Sequence, residues 1–140
     1  MAAHKRLYVD TSAYLCLLLG ERGHKLLARE LADAQLFSSV LLVLESNRNL
    51  IRLSREGHLK PADLRVCLDR VATDVRQFAL RDLTLDLCEG TAMPVVTTPR
   101  SLDLAHLRTA MWLHDQEPLV RFVSLDHAQI EAAREAGLPV

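Results

Sequence analysis

The chain has 140 residues, 49% of them hydrophobic, which suits one domain with a well-formed core. Its 17 basic and 18 acidic residues give a formal charge of −1, so bulk charge carries no nucleic-acid-binding signature. Because no apolar run is long enough to cross a membrane and no secretory signal is present, we expect a single cytoplasmic domain over residues 1–140.

Short apolar runs predict strands, and apolar residues at helical spacing predict helices. The predicted strands are 7–9, 36–39, 77–83 and 119–125, with a last short strand at 138–140. The predicted helices are 13–19, 21–34, 40–56, 61–76, 84–92, 101–114 and 126–136, and a loop containing Pro94 and Pro99 precedes the sixth helix. Strands that alternate with helices indicate an α/β fold with a mostly parallel sheet covered on both faces.

The three cysteines are Cys16, Cys67 and Cys88, and none has the spacing of a zinc site or a redox pair. We expect them to be reduced thiols that are mostly buried.

Two acids follow predicted strands directly. Asp10 comes after the first strand, and Asp126 comes after the fourth, each at the start of a helix. Both positions suit a helix N-cap. They also suit a binding site, because ligands of open α/β sheets lie beyond the carboxyl ends of parallel strands.

Glu45 interrupts the apolar start of the third helix. On a helical wheel it shares a polar face with Arg48, Asn49, Arg52 and Glu56, which is compatible with a solvated surface or with a site near the strand ends. The opposite face is predicted to carry Val40, Val43, Leu44, Leu50 and Ile51.

Asp103 lies in a helix that is apolar almost all round and should be largely buried. Ser101 is the expected N-cap of that helix, so Asp103 is not needed for capping. A buried carboxylate without a partner would become protonated, which favours a metal-bound role for Asp103.

Clustered carboxylates raise one another's pKa, and a hard divalent cation relieves that repulsion. Oxygen ligands without cysteine favour Mg²⁺ or Mn²⁺ over Zn²⁺.

Three stretches carry a resemblance to a known family: Tyr8-Val9-Asp10-Thr11-Ser12, Ser101 to Leu107, and Ser124-Leu125-Asp126, together with Glu45. They resemble the PIN-domain ribonucleases, and most of all the VapC-type toxins of toxin–antitoxin pairs. The resemblance implies a three-layer α/β/α sandwich that cleaves RNA with Mg²⁺ or Mn²⁺. Its acid quartet would be Asp10, Glu45, Asp103 and Asp126.

The resemblance also implies a small hydroxyl residue, Thr11 or Ser12, that orients the first acid. It implies a homodimer and an antitoxin protein that blocks the site. Among the basic residues, Arg48, Arg52 and Arg100 are candidate contacts to the RNA backbone, or else ordinary surface charges. His106 matches a common residue of the family, for which a structural role in the helix is the favoured interpretation.

Two other functions are compatible with this size and fold class. A phospho-acceptor signalling domain would need a pair of acids at the first strand end and a late lysine, and no lysine follows Lys60. A non-catalytic partner-binding module on the same fold would bind no metal at the acids.

Overall fold

A computed structural model describes residues 4–98 and 100–140, so Pro99 of the predicted loop lies outside the described residues. Within these ranges the strands are β1 Arg6–Val9, β2 Gln35–Ser39, β3 Phe78–Arg81 and β4 Arg121–Val123. The helices are α1 Thr11–Leu19, α2 His24–Leu31, α3 Leu41–Arg55, α4 Pro61–Asp74, α5 Leu85–Cys88, α6 Ser101–Gln116 and α7 His127–Glu135. Short 3₁₀ turns occupy Val75–Gln77 and Gly90–Ala92.

The strands form one parallel sheet in the order β3-β2-β1-β4, with β1 in the interior. Tyr8 of β1 is paired with Phe37 of β2 on one side and with Phe122 of β4 on the other. The chain therefore leaves β1 toward β2 and later returns to the opposite side of β1. The crevice between the carboxyl ends of β1 and β4 is the switch point where such sheets bind ligands.

Alternation along β1 sends its side chains into two separate cores. Leu7 and Val9 are buried in the core that α1, α2, α3 and α4 cover. Tyr8 points to the other face, into the core formed with α6 and α7. The predicted α/β/α sandwich is therefore confirmed.

Both ends of α1 carry residues that are typical of helix caps. The carboxylate of Asp10 caps its first turn, and Gly20 ends it at φ +62°, a left-handed conformation that favours glycine. Gly20 donates its N–H to the carbonyls of Cys16 and Leu17.

Several boundary predictions were wrong. The helix predicted at 84–92 is a single turn followed by a 3₁₀ turn, and no strand forms at 138–140. The C-terminus still pairs once with the sheet, because the Phe122 N–H donates to the Pro139 carbonyl at 2.7 Å. A single bond of this kind is too little to make a strand.

The N-cap predicted for α6 was also wrong. Ser101 already has helical geometry, and the cap residue is Arg100, whose carbonyl accepts the N–H of Leu104 at 3.1 Å. The helix thus begins one residue earlier than the serine suggested. Asp103 remains in the first turn, where the helix dipole favours a carboxylate.

The apolar face predicted for α3 was wrong in part. The buried side chains of α3 are Leu42, Ser46 and Leu50, whereas Leu44 is 66% exposed and Ile51 is 51% exposed. The helix is rotated so that Glu45, at the border of the buried stripe, reaches into the protein.

The cysteines are free in the described part of the chain, as expected, but only Cys16 is fully buried; Cys67 is half-buried and Cys88 is exposed. No helix among the described residues has the length and apolarity that a membrane span requires.

Candidate functional site

The carboxyl ends of β1 and β4 lie side by side, and an acid follows each of them. Val9 is paired with Val123, and the N–H of Asp10 donates to the Val123 carbonyl at 3.0 Å. Asp126 begins α7 just beyond β4. The parallel sheet therefore places Asp10 and Asp126 at the same edge.

Asp10 is only 5% exposed. Its Oδ1 accepts the Ser12 hydroxyl at 2.7 Å and the Ala13 N–H at 3.1 Å, so Asp10 is an N-cap as well as a buried acid. Burial raises the pKa of Asp10, against the opposing effect of the nearby hydroxyls and amide. Between Thr11 and Ser12, it is Ser12 that orients this acid.

Two hydroxyls tie the ends of β1 and β4 together. Ser12 Oγ lies 3.2 Å from Ser124 Oγ and accepts the Leu125 N–H at 3.0 Å. Ser124 Oγ accepts the N–H of Asp126 at 3.1 Å. Asp126 is in turn held as the cap of α7, where its Oδ1 accepts two first-turn amides at 2.9 and 3.4 Å.

Glu45 reaches the site from the second turn of α3. Its Oε1 accepts the Thr11 hydroxyl at 2.8 Å and contacts Nε2 of His106 at 2.7 Å. Burial would raise the pKa of Glu45, but the contacts with His106 and Thr11 outweigh burial and lower it. Glu45 is therefore held as a carboxylate.

His106 is 2% exposed and is bonded at both ring nitrogens. Its Nδ1 lies 2.7 Å from the Tyr8 hydroxyl, in the centre of the sheet. Burial raises the pKa of Tyr8, so that hydroxyl keeps its proton. A continuous chain of polar contacts thus runs from Tyr8 through His106 to Glu45.

Asp103 is half-buried in the first turn of α6. Burial is the largest cause that raises its pKa, followed by the negative charges of Asp126 and Glu45. Asp103 therefore feels the negative charges of Asp126 and Glu45. Gln129 of α7 fixes the backbone there, because its Nε2 donates to the Asp103 carbonyl at 2.8 Å.

A cleft of about 340 Å³ opens beside the acids, and it is lined by Glu45, Arg48, Asn49, Arg100, Leu102 and Asp103. Arg48 and Arg100 thus bring positive charge to the wall that the two acids share. Arg52 is absent from this wall and instead forms an ion pair with Glu56 at 3.1 Å.

The donors around this cleft match a hard divalent ion in kind, since all four acids offer oxygen. Within residues 4–98 and 100–140, however, no three His, Cys, Asp or Glu side chains are arranged as a ready-made metal cage. Capping and the contact with His106 occupy one oxygen each of Asp10, Asp126 and Glu45. Mg²⁺ usually keeps several waters and binds through one or two carboxylates plus a substrate phosphate, so the residues fit such an ion without a closed cage.

Sequence patterns alone missed Tyr8 and Ser124 as parts of this site. A tyrosine hydroxyl in a central strand needs a polar partner, which was the available signal for Tyr8. Its partner His106 is 98 positions away along the chain, and no local pattern indicates that contact.

Comparison with known proteins gives a match in structure. No family model matches the sequence, and no curated protein matches it. The solved structure of the Mycobacterium tuberculosis toxin VapC20, described as a sarcin-ricin loop cleaving toxin, matches with a TM-score of 0.60 at 15% identity. The match covers 89% of this chain and 92% of that one. The chain therefore shares the fold of this PIN-domain toxin.

Proposed function

We propose that the protein is a metal-dependent endoribonuclease, the toxin of a toxin–antitoxin pair, that hydrolyses RNA phosphodiester bonds. The observation that carries this proposal is the convergence of acids from separate chain segments at the switch point of a PIN-fold sheet. Two of them, Glu45 and Asp103, share a cleft with Arg48 and Arg100. Acids beside arginines suit a phosphate-bearing substrate and a cation together.

The carboxylates of Asp10, Glu45, Asp103 and Asp126 would hold Mg²⁺ or Mn²⁺. When bound, such an ion lowers the pKa of a water and stabilises negative charge on the phosphate and the leaving oxygen. Ser12 and the first-turn amide of Ala13 keep the Asp10 carboxylate in place.

The arginines of the cleft would position the RNA backbone. Arg48 and Arg100 carry planar guanidinium groups that can hold a phosphate through two hydrogen bonds. Arg52, engaged with Glu56, would contribute less to this contact. Contacts of this kind fix the register of the strand and leave sequence choice to other surfaces.

The neighbour in fold is described as a toxin that cleaves the sarcin-ricin loop. Sarcin-ricin loop RNA is therefore the first substrate to test for this chain. We also propose that an antitoxin protein covers the acid cleft. The protein would form a homodimer and lie in the cytoplasm.

The test is cleavage of sarcin-ricin loop RNA, transfer RNA and messenger RNA with Mg²⁺ or Mn²⁺, beside an EDTA control. We expect metal-dependent cleavage that Asp103→Asn reduces by at least about 100-fold, because removing a charge-stabilising group of a site costs that much. Asp63→Asn is the matched control, since Asp63 is also a first-turn helix carboxylate but lies at the start of α4.

Full activity of Asp103→Asn, or cleavage that persists in EDTA, would contradict the assignment. Absence of both cleavage and metal binding in the folded wild type would favour the non-catalytic partner-binding module.

A further inference from the structure

The hydrogen-bond partners of His106 fix which of its ring nitrogens carries the proton. Oε1 of Glu45, a carboxylate oxygen that can only accept, lies 2.7 Å from Nε2 of His106, so Nε2 carries a hydrogen. In a neutral imidazole Nδ1 is then the acceptor, and the Tyr8 O–H donates to it at 2.7 Å. The Tyr8 oxygen in turn accepts the Ser39 N–H at 3.2 Å.

Thr11 also binds Glu45 through a hydrogen bond. Its hydroxyl donates to the same Oε1 at 2.8 Å and lies 3.2 Å from Nε2 of His106. Oε1 is thus engaged twice, whereas Oε2 of Glu45 accepts no hydrogen bond from the described residues. The second oxygen is the one that remains for a ligand in the cleft.

We propose that Tyr8 is a positioning residue whose hydroxyl, acting through His106, aims the free oxygen of Glu45 into the acid cleft. The inference rests on the proposed function, in which Glu45 is a ligand of the divalent ion. Tyr8 itself is fully buried and does not line the cleft. Partners that orient metal-binding side chains in this way typically contribute 10- to 100-fold to metal affinity or activity.

The packing of Tyr8 does not need its hydroxyl. Its ring is stacked on Phe122 with centroids 5.2 Å apart, within the core that faces α6 and α7. Tyr8→Phe keeps this ring and removes only the oxygen. The variant therefore separates positioning from packing.

Tyr14→Phe is the matched control. Tyr14 is 2% exposed, and its hydroxyl also makes a partly buried hydrogen bond, donating to Asp74 at 2.9 Å. Its ring packs edge-on against Phe78 in the core on the other face of the sheet. Loss of the Tyr14 hydroxyl should cost similar stability and leave His106 and the cleft unchanged.

Three measurements on the full chain test the proposal. Long-range ¹H–¹⁵N spectra of the imidazole should show the Nε2–H form of His106 in the wild type and in Tyr14→Phe, and loss of that single form in Tyr8→Phe. Calorimetry with Mn²⁺ alone should show about tenfold weaker binding in Tyr8→Phe only. RNA cleavage should show a lower kcat at unchanged KM for RNA in the same variant.

Replacement of the His106 imidazole gives a second test of the proposal. His106→Gln places an amide donor near the position of Nε2, whereas His106→Asn places it near Nδ1. We expect His106→Gln to retain more Mn²⁺ affinity than His106→Asn, because only the glutamine can still donate to Glu45.

An unchanged His106 tautomer in Tyr8→Phe, or Mn²⁺ binding equal to that of the wild type, would overturn the proposal. Equal losses in Tyr8→Phe and Tyr14→Phe would do the same, because they would mark a general effect on stability. If the wild type binds no Mn²⁺ and cleaves no RNA, the proposed function fails. The tautomer of His106 in Tyr8→Phe then decides whether Tyr8 positions the imidazole.

Discussion

Asp10 combines two functions that its sequence position offers only as alternatives. Its Oδ1 caps α1, as a local pattern of Asp, Thr and Ser predicts, yet the side chain is also 5% exposed at the switch point. Capping alone does not require burial, because it needs only a side-chain oxygen that accepts a first-turn N–H. Capping therefore does not explain why Asp10 is buried, whereas a role in a binding site does.

Asp10→Asn should stabilise the protein at neutral pH. Burial raises the pKa of Asp10 above its ordinary value of 3.8, so the folded protein binds that proton more tightly than the unfolded chain does. The free energy of unfolding therefore falls as the pH rises from the unfolded-state pKa through the folded-state pKa, and the deficit persists at pH 7. Asparagine caps a helix equally well without a charge, so we expect a gain of about 1 kcal/mol.

Urea unfolding at several pH values measures this effect. The gain of Asp10→Asn over the wild type should shrink as the pH falls below the raised folded-state pKa, and it should vanish below the ordinary pKa of 3.8, where Asp10 is protonated in both states. Asp63→Asn, an exposed first-turn acid, should show no such gain. A variant less stable than the wild type at pH 7, or a gain independent of pH, would refute the argument.

Helix boundaries show what local patterns can and cannot determine. The starts and ends of α1, α3 and α4 lie within a few residues of prediction because caps, glycines and prolines are local signals. The rotation of α3 was predicted incorrectly, since Leu44 and Ile51 face outward. That rotation places Glu45 against Thr11 and His106. The orientation of α3 therefore follows from these tertiary contacts and cannot be predicted from the spacing of its apolar residues.

Asp126 allows capping to be separated from a role in the site. Its Oδ1 accepts two amides of α7, and asparagine would preserve that capping geometry. Asp126→Asn should therefore change stability by less than about 0.5 kcal/mol. Asp126→Ala should cost about 1 kcal/mol, because the cap is lost.

Both variants should lose RNA cleavage if Asp126 also serves the site. Urea unfolding and the cleavage assay on the same samples measure the two effects separately. Normal cleavage by Asp126→Asn would show that Asp126 is a cap only.

At the scale of the whole molecule, the α/β/α class could be predicted from alternating strands and helices. The order β3-β2-β1-β4 could not, because the pairing of β1 with β4 joins segments more than a hundred residues apart. That pairing is what brings Asp126 beside Asp10. The match of the acids to family positions predicts a common site, while the contact of Tyr8 with His106 became visible only in three dimensions.

The cleft draws its positive charge from two distant segments, Arg48 of α3 and Arg100 before α6. If both contact RNA phosphates, Arg100→Ala should weaken RNA binding and reduce the slope of log K against log salt by about 0.7. Fluorescence anisotropy in EDTA, where cleavage is blocked, measures this slope. Arg65→Ala is the control, since Arg65 is exposed on α4 beside Asp69, and an equal change there would show only a bulk-charge effect.

If Asp10, Glu45, Asp103 and Asp126 form one divalent-ion site, crystals grown with Mn²⁺ should contain the ion there. In anomalous scattering from such crystals we expect a peak within coordination distance of oxygens from at least two of these acids, and loss of that peak in Asp103→Asn. A peak elsewhere on the protein, or none at saturating Mn²⁺, would contradict the four-acid site.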